Sequence, residues 1–241
     1  MIGVVIPAGG VGARMGGDKP KQFLEIQGRP IYRHALDVFL EHPLISEIVF
    51  VCGADWLAHF SDEFKDLPIK VVVGGKERWN SVYNGLQALS DDVKSVMVHD
   101  VARPFLPQSL LESCISELQA DRSFVVALKA VDTIKRSRTA SQVNKSLNSN
   151  VITSSIVDET LNRDEIWLAQ TPQGSSKQLL IDCFDSMSQT DQNPTDEASV
   201  LEACGIDVHL IEGSSWNDKL TTPEDLSKFQ SWLQVANHNK N

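Results

Sequence analysis

No run of 18 apolar residues occurs anywhere in the 241-residue sequence, which excludes a helix long enough to span a bilayer. Cysteine is scarce: Cys52, Cys114, Cys183 and Cys204 stand far apart with no C-x-x-C pair. That spacing excludes a disulfide-stapled scaffold or a zinc ribbon and leaves reduced thiols as the reading. Positive charge is also in deficit, 22 Lys and Arg against 32 Asp and Glu for a net charge of −10, which argues against a coat for nucleic acid or anionic membrane. With 14 Gly and 10 Pro, the chain has too few of either for a fibrous or low-complexity protein. Met1 to Pro7 run straight into an apolar segment without a basic leader or cleavage site, so a cytoplasmic location is expected. What is present is 41% hydrophobic content, enough at this length to bury a substantial core in one large or two small domains.

The negative charge is unevenly spread. Residues 1–35 carry a net +3 and residues 132–163 a net +2, whereas residues 164–241 carry −9. The two basic islands are candidates for anion contacts or simply for solvated faces. Short apolar, β-branched runs alternate with helical patterns, the signature of βα units and a mostly parallel twisted sheet covered on both faces. The strands expected are 2–8, 45–52, 69–74, 95–100, 124–130 and 208–212, and the helices 31–41, 79–89, 108–119, 176–188, 197–204 and 224–234. Half of the residues in 137–150 are Ser or Asn, flanked by apolar runs at 131–134 and 151–157, which reads as a hairpin with a long polar tip. With no repeat and no further Gly/Pro-rich linker, residues 1–241 read as one domain, with an arm inside 132–168.

The densest chemistry follows the first strand, in Pro7-Ala8-Gly9-Gly10-Val11-Gly12-Ala13-Arg14-Met15 and on to Lys19-Pro20-Lys21-Gln22-Phe23. Gly9, Gly10 and Gly12 let backbone N–H groups turn toward an anion without Cβ obstruction. A dinucleotide fingerprint fails because Met15 stands at the third glycine position, and a Walker A fails for want of Gly-Lys-Ser/Thr. Arg14 and Lys21 supply instead a guanidinium fork and a point charge suited to a triphosphate. A tight turn is the alternative for the glycines alone. Asp100 ends an apolar strand at the sheet edge where open α/β folds bind ligands, and a carboxylate there suits Mg²⁺ between phosphate oxygens. A helix cap is the alternative for Asp100 alone. His99, Trp79 and Trp216 read as packing residues.

The loop resembles the signature of the 2-C-methyl-D-erythritol 4-phosphate cytidylyltransferases of the non-mevalonate isoprenoid pathway. The likeness runs collinearly through Gly74-Gly75-x-x-Arg78-x-x-Ser81, His99-Asp100-Val101-Ala102-Arg103-Pro104-Phe105, Asp132-Thr133-Ile134-Lys135, Gln170-Thr171-Pro172-Gln173, Thr195-Asp196-Glu197-Ala198-Ser199 and Lys219-Leu220-Thr221-Thr222-Pro223-Glu224-Asp225. The resemblance implies a Rossmann-like sheet with a protruding β-hairpin arm, and transfer of CMP from CTP to 2-C-methyl-D-erythritol 4-phosphate with release of pyrophosphate. It implies catalytic roles for Arg14, Lys21 and Lys219, and nucleotide binding by Ala8, Gly9, Gly10, Gly12, Gly75 and Ser81, with the base met by all of these but Gly12. It further implies Mg²⁺ on Asp100, and Arg103, Arg163, Thr171 and Thr195 on the polyol phosphate. A homodimer follows, with Arg163 and Thr171 reaching the neighbouring site. Lys76 stands where the family commonly has aspartate and Gly9 where it commonly has alanine, changes that backbone contacts survive. Residues 157–162 depart from the usual compact pattern before Arg163. Ribitol-5-phosphate cytidylyltransferase is the nearest competing activity. A nucleotide-sensing module without catalysis is the competing class, and it has no need of Arg14, Lys21, Asp100 and Lys219 together.

Overall fold

A computed structural model describes residues 1–10, 20–142, 152–187 and 193–238. The chain opens with strand β1 (Ile2–Pro7), a two-residue ribbon β2 (Glu25–Ile26) and β3 (Arg29–Pro30), and helix α1 (Ile31–Leu40). It continues through β4 (Ile45–Cys52), α2 (Leu57–Glu63), β5 (Ile69–Val73), α3 (Arg78–Ala88), β6 (Ser95–Val98), α4 (Gln108–Gln119) and β7 (Ser123–Lys129). The hairpin strands β8 (Lys135–Gln142) and β9 (Ile152–Thr160) precede β10 (Trp167–Ser176), α5 (Lys177–Met187), α6 (Glu197–Ala203), β11 (Val208–Glu212) and α7 (Pro223–His238).

Seven strands form the main sheet in the order β11-β7-β10-β6-β1-β4-β5. All neighbours are parallel except β10, which runs antiparallel to both β6 and β7. Strands β1, β4 and β6 are apolar on nearly every residue because both faces are covered. One core packs α1, α2 and α4 on one face, centred on Phe39, Phe50 and Phe60, and a second packs α3, α5 and α6 on the other, around Val5, Leu86 and Phe184. A third, smaller cluster of Ile26, Ile31, Leu220 and Phe229 seats α7. The chain order turns back between β1 and β6, which opens a crevice at their carboxyl ends.

Close approach of α3 to the sheet depends on Gly85. A Cβ there would lie 2.4 Å from Val5 Cγ1 and 3.0 Å from Val51 Cγ2, both in fully buried strands. Alanine would gain about 1 kcal/mol of helix propensity, but overpacking a stiff core typically costs about 1–3 kcal/mol. Gly85→Ala is therefore expected to lower the denaturation midpoint in urea with little change in its slope.

The structure departs from the sequence reading in four places. Helix α2 and the β2–β3 ribbon are additional elements, and so is β10, which lies in the middle of the sheet. The hairpin is longer in strand than its apolar flanks indicate: β8 extends to Gln142 through the polar Ser137-Arg138-Thr139 stretch. It forms its own two-stranded sheet, with the ion pairs Arg136–Glu159 and Arg138–Asp158 across it. With residues 155–160 of β9 exposed, no buried face imposes apolar alternation. Part of the expected polar tip, residues 143–150, lies outside the described residues.

Candidate active site

The crevice at the carboxyl ends of β1 and β6 is a cleft of about 230 Å³. Gly9 and Gly10 line one side, Gly75 and Ser81 another, and Asp100 and Lys219 its floor, with Gln22 and Arg78 between them. Each wall has a local cause. The Ala8 N–H donates to the Val51 carbonyl at 2.7 Å, which carries β1 pairing one residue past the strand and leaves Gly9 and Gly10 exposed above it. Ser81 accepts from the Gly75 N–H at 3.1 Å and donates to the Glu77 carbonyl at 3.2 Å, so its hydroxyl shapes the Gly75 turn. A Cβ on Gly75 would lie 2.2 Å from Asn80 Cβ, which makes glycine necessary there.

Asp100 is the electrostatic centre. Its Oδ1 accepts from Arg78 Nε at 3.1 Å, its Oδ2 from Lys219 Nζ at 2.5 Å, and its own N–H donates to Thr171 Oγ1 at 3.0 Å. Burial alone would raise its pKa, but Arg78, Lys219 and Arg103 together outweigh burial and hold the carboxyl well below the usual carboxylate range. Arg78 in turn forms a two-pronged bond with Glu197, Nη1–Oε1 at 2.7 Å and Nη2–Oε2 at 3.1 Å. Burial works against the Arg78 charge, yet Glu197 and Asp100 prevail and raise its pKa further. Burial pushes the Glu197 pKa up while Arg78 opposes it.

Lys219 reaches the cleft because the loop before α7 is anchored on both sides of it. Asn217 is fully buried and donates to the Thr171 carbonyl at 2.7 Å, while its own carbonyl accepts from Arg103 Nη1 at 2.8 Å. Leu220 is fully buried in the third core cluster, and its N–H donates to the Ala102 carbonyl at 2.8 Å.

The cleft thus brings together Gly9, Gly10, Gly75, Ser81, Asp100 and Lys219. Ala8 lies just beneath, with its N–H already committed. Gly12 and Arg14 lie outside the described residues, as does the Lys21 side chain. Arg103 is 7% exposed and its guanidinium donates through Nη1 and Nη2 to the carbonyls of Asn217 and Ala169 under the Lys219 loop. Thr171 is likewise buried, its hydroxyl bonded to the Asp100 N–H and to His99 of its own chain. Thr195 is exposed just before the α6 cap Asp196, and Arg163 is exposed at the base of the hairpin, where Nη1 donates to the Val131 carbonyl at 2.8 Å. Neither lines this cleft.

His99 is fully buried. Because the Arg103 carbonyl can only accept, Nε2 carries the proton and Nδ1 accepts from the Thr171 hydroxyl. Burial lowers its pKa to about 4, so it is a neutral packing residue. Trp79 stacks on Phe184 and Trp216 leans on Trp232, and neither lines the cleft. The residues whose role the sequence reading missed are Arg78 and Glu197. Both stand in the motifs noted above, and the only signal was an acid at the head of a helix whose next turn is buried, Ala198, Val200 and Leu201.

Among the described residues, no cluster of three or more His, Cys, Asp or Glu is arranged around a metal position. Asp100 is an ionised hard-oxygen donor in the cleft that Gly9 and Gly10 line, which fits an ion that takes the rest of its ligands from a bound phosphate and water, as Mg²⁺ does.

Residues 2–235 match the family described as IspD, 2-C-methyl-D-erythritol 4-phosphate cytidylyltransferase. The chain belongs to this family. It is 37% identical over 230 residues to the enzyme of that name from Mannheimia succiniciproducens, covering 95% of this chain and 94% of the other. It is 36% identical over 234 residues to the bifunctional enzyme IspD/IspF of Desulfotalea psychrophila, of whose length it spans 56%. Among solved structures, 4-diphosphocytidyl-2C-methyl-D-erythritol synthase from Anaerococcus prevotii superposes with a TM-score of 0.80 at 28% identity, covering 97% of this chain and 96% of that one. The Francisella tularensis cytidylyltransferase gives 0.75 at 33% identity, covering 96% of this chain and 98% of that one. The chain is a nucleotidyltransferase of the non-mevalonate isoprenoid route, and among its described residues no helix is long and apolar enough to cross a membrane.

Proposed function

We propose that the cleft between Gly9–Gly10, Gly75 and Asp100 carries out the transfer of CMP from CTP to 2-C-methyl-D-erythritol 4-phosphate. A phosphate oxygen of the acceptor attacks the α-phosphorus, and the bond to the leaving pyrophosphate oxygen breaks in line with it. The nucleophile is already an anion, so the reaction needs positioning and charge neutralisation more than a base. The observation that carries the reading is that Asp100, Arg78 and Lys219 converge on one cleft opposite the glycine cradle.

In this reading, backbone groups of Ala8, Gly9, Gly10, Gly12 and Gly75 with Ser81 take the cytosine and ribose side, and a backbone wall excludes a purine by size. Arg14 and Lys21 neutralise the triphosphate. Lys219 holds charge that builds at the α-phosphate. Bound Mg²⁺ would supply Lewis-acid neutralisation of the phosphate oxygens, with Asp100 as its protein ligand. Arg103 acts by seating the Lys219 loop, and Thr195 and Arg163 remain candidates for the polyol phosphate.

Residues 1–241 act as one nucleotidyltransferase domain, with the 132–168 arm joining two copies. Supporting that arrangement, the arm and its base expose Val131, Val157 and Leu168 to solvent, together with Arg163. The test is to incubate the purified chain with CTP, MgCl₂ and either 2-C-methyl-D-erythritol 4-phosphate or ribitol 5-phosphate and to follow pyrophosphate. Preference for the methylerythritol phosphate is expected, and a clear preference for ribitol 5-phosphate would overturn the substrate assignment.

A further inference from the structure

Arg78 opens α3 and Glu197 opens α6, helices that flank the cleft from different parts of the chain, 119 residues apart. Their contact is not a loose surface pair. The Glu197 side chain is 1% exposed, and its two oxygens face Nη1 and Nη2 of one guanidinium. That same guanidinium forks toward Asp100: Nε lies 3.1 Å and Nη2 3.0 Å from Oδ1. Nη2 therefore stands between two carboxylates, 3.0 Å from one and 3.1 Å from the other. Lys219 takes the remaining oxygen of Asp100.

The head of α6 is itself fixed. The Asp196 side chain accepts from the Ser199 N–H and from Gln173 Nε2, and Gln173 Oε1 accepts from the Ala198 N–H at 2.7 Å. Glu197 is thus held on a rigid helix start, and its bidentate grip leaves Arg78 a single orientation. A buried carboxylate is costly to retain for packing alone. Here it divides the guanidinium charge between two anions, so that Asp100 is pinned at Oδ1 without being fully neutralised by Arg78.

Resting on the functional reading above, we propose that Arg78 is a positioning residue, held by Glu197, that sets how readily Asp100 engages a divalent cation together with CTP. Without the Glu197 charge, the Arg78 guanidinium turns undivided onto Asp100 and competes with the cation. Glu197 then acts only through Arg78.

The test is CTP binding measured by calorimetry against MgCl₂ concentration, with no acceptor present, alongside kcat with acceptor. Glu197→Gln is expected to raise the magnesium concentration for half-maximal CTP binding by about threefold or more, the effect of an Arg78 guanidinium that turns undivided onto Asp100 and competes there with the cation. In an Arg78→Gln background, the same Glu197→Gln change is expected to shift it by less than about twofold, the non-additivity of residues that act as a unit. An equal rise in both backgrounds overturns the proposal, because it would mean that Glu197 acts by distant charge alone. Arg78→Gln on its own leaves Glu197 buried and unpaired; if that variant does not fold, the double variant is compared with Glu197→Gln. It must then return the magnesium requirement to within about twofold of the wild type, and a double variant as impaired as Glu197→Gln overturns the proposal. A wild type that shows no magnesium-dependent CTP binding would instead refute the metal role of Asp100, an outcome distinct from these.

Discussion

Lys219→Ala is expected to lower kcat for cytidylyl transfer by about 10²-fold or more, the scale of losing one preorganised donor to charge that develops in the transition state. The structure provides the reasons for both the size of the loss and the survival of the fold. The loop that carries Lys219 is anchored without it, by fully buried Asn217 on one side and fully buried Leu220 on the other. Its side chain is 37% exposed and points across the cleft to Asp100. Removing the ammonium takes one partner from buried Asp100 but leaves its bond to Arg78 and the anchors of the loop, so the fold should survive with a lowered thermal midpoint. Circular dichroism at about 25 °C should therefore stay close to wild type while turnover collapses. Lys219→Arg is expected to recover only part of the rate, because a planar guanidinium presents its donors in a different geometry from a compact ammonium. Steady-state kinetics with CTP and 2-C-methyl-D-erythritol 4-phosphate decide the matter, and a variant within a factor of a few of wild-type kcat would remove Lys219 from the reaction.

What the sequence could reveal of this site depended on whether a residue's role is set locally. Strands β1, β4, β6 and β7 are apolar runs, buried on both faces, so their position was legible. Strand β10 was not, because Gln170, Thr171, Pro172, Gln173 and Gly174 follow no strand pattern, even though they occupy the centre of the sheet. Their composition has a physical cause. Gly174 lies where a Cβ would meet the Phe124 ring at 2.5 Å, and the polar side chains hold the site: Gln170 the loop of Ser214, Thr171 the Asp100 backbone, Gln173 the head of α6. Lys219, in the loop before α7, was marked only by the family resemblance, whereas Gly9, Gly10 and Asp100 could be read because each stands just past an apolar strand, β1 or β6. The Arg78–Glu197 pair could not, since two motifs 119 residues apart carry no sign that they meet. The contacts of Arg103 with the carbonyls of Asn217 and Ala169 were not legible either, because they join it to segments 114 and 66 residues away.

Asp100→Asn is the second large effect expected. The replacement keeps the shape of the side chain but not its charge, and it cannot keep both bonds. One carboxylate oxygen faces Arg78 and the other Lys219, and an amide offers an acceptor to only one of them while turning two N–H donors on the other. Arg78 retains Glu197, so the displaced group is Lys219, which loses its bond to Asp100 and swings into the open cleft. Turnover is expected to fall by about 10²-fold or more, and the magnesium concentration for half-maximal rate to rise by about tenfold, because the carboxylate proposed to hold the ion is gone. Stability should follow the linkage of a carboxyl whose folded pKa lies below its unfolded value. The stabilisation from ionised Asp100 is fully present above the ordinary carboxylate range and is lost progressively as pH falls from that range toward the depressed folded value. At neutral pH the variant should therefore melt below the wild type, and the gap should already be narrower near pH 3. Magnesium titrations of the rate and thermal melts at pH 7 and near pH 3 test the two halves separately. A variant with unchanged magnesium dependence would remove Asp100 as the ligand, and one that melts above wild type at pH 7 would show that Arg78 and Lys219 do not compensate for burying the charge.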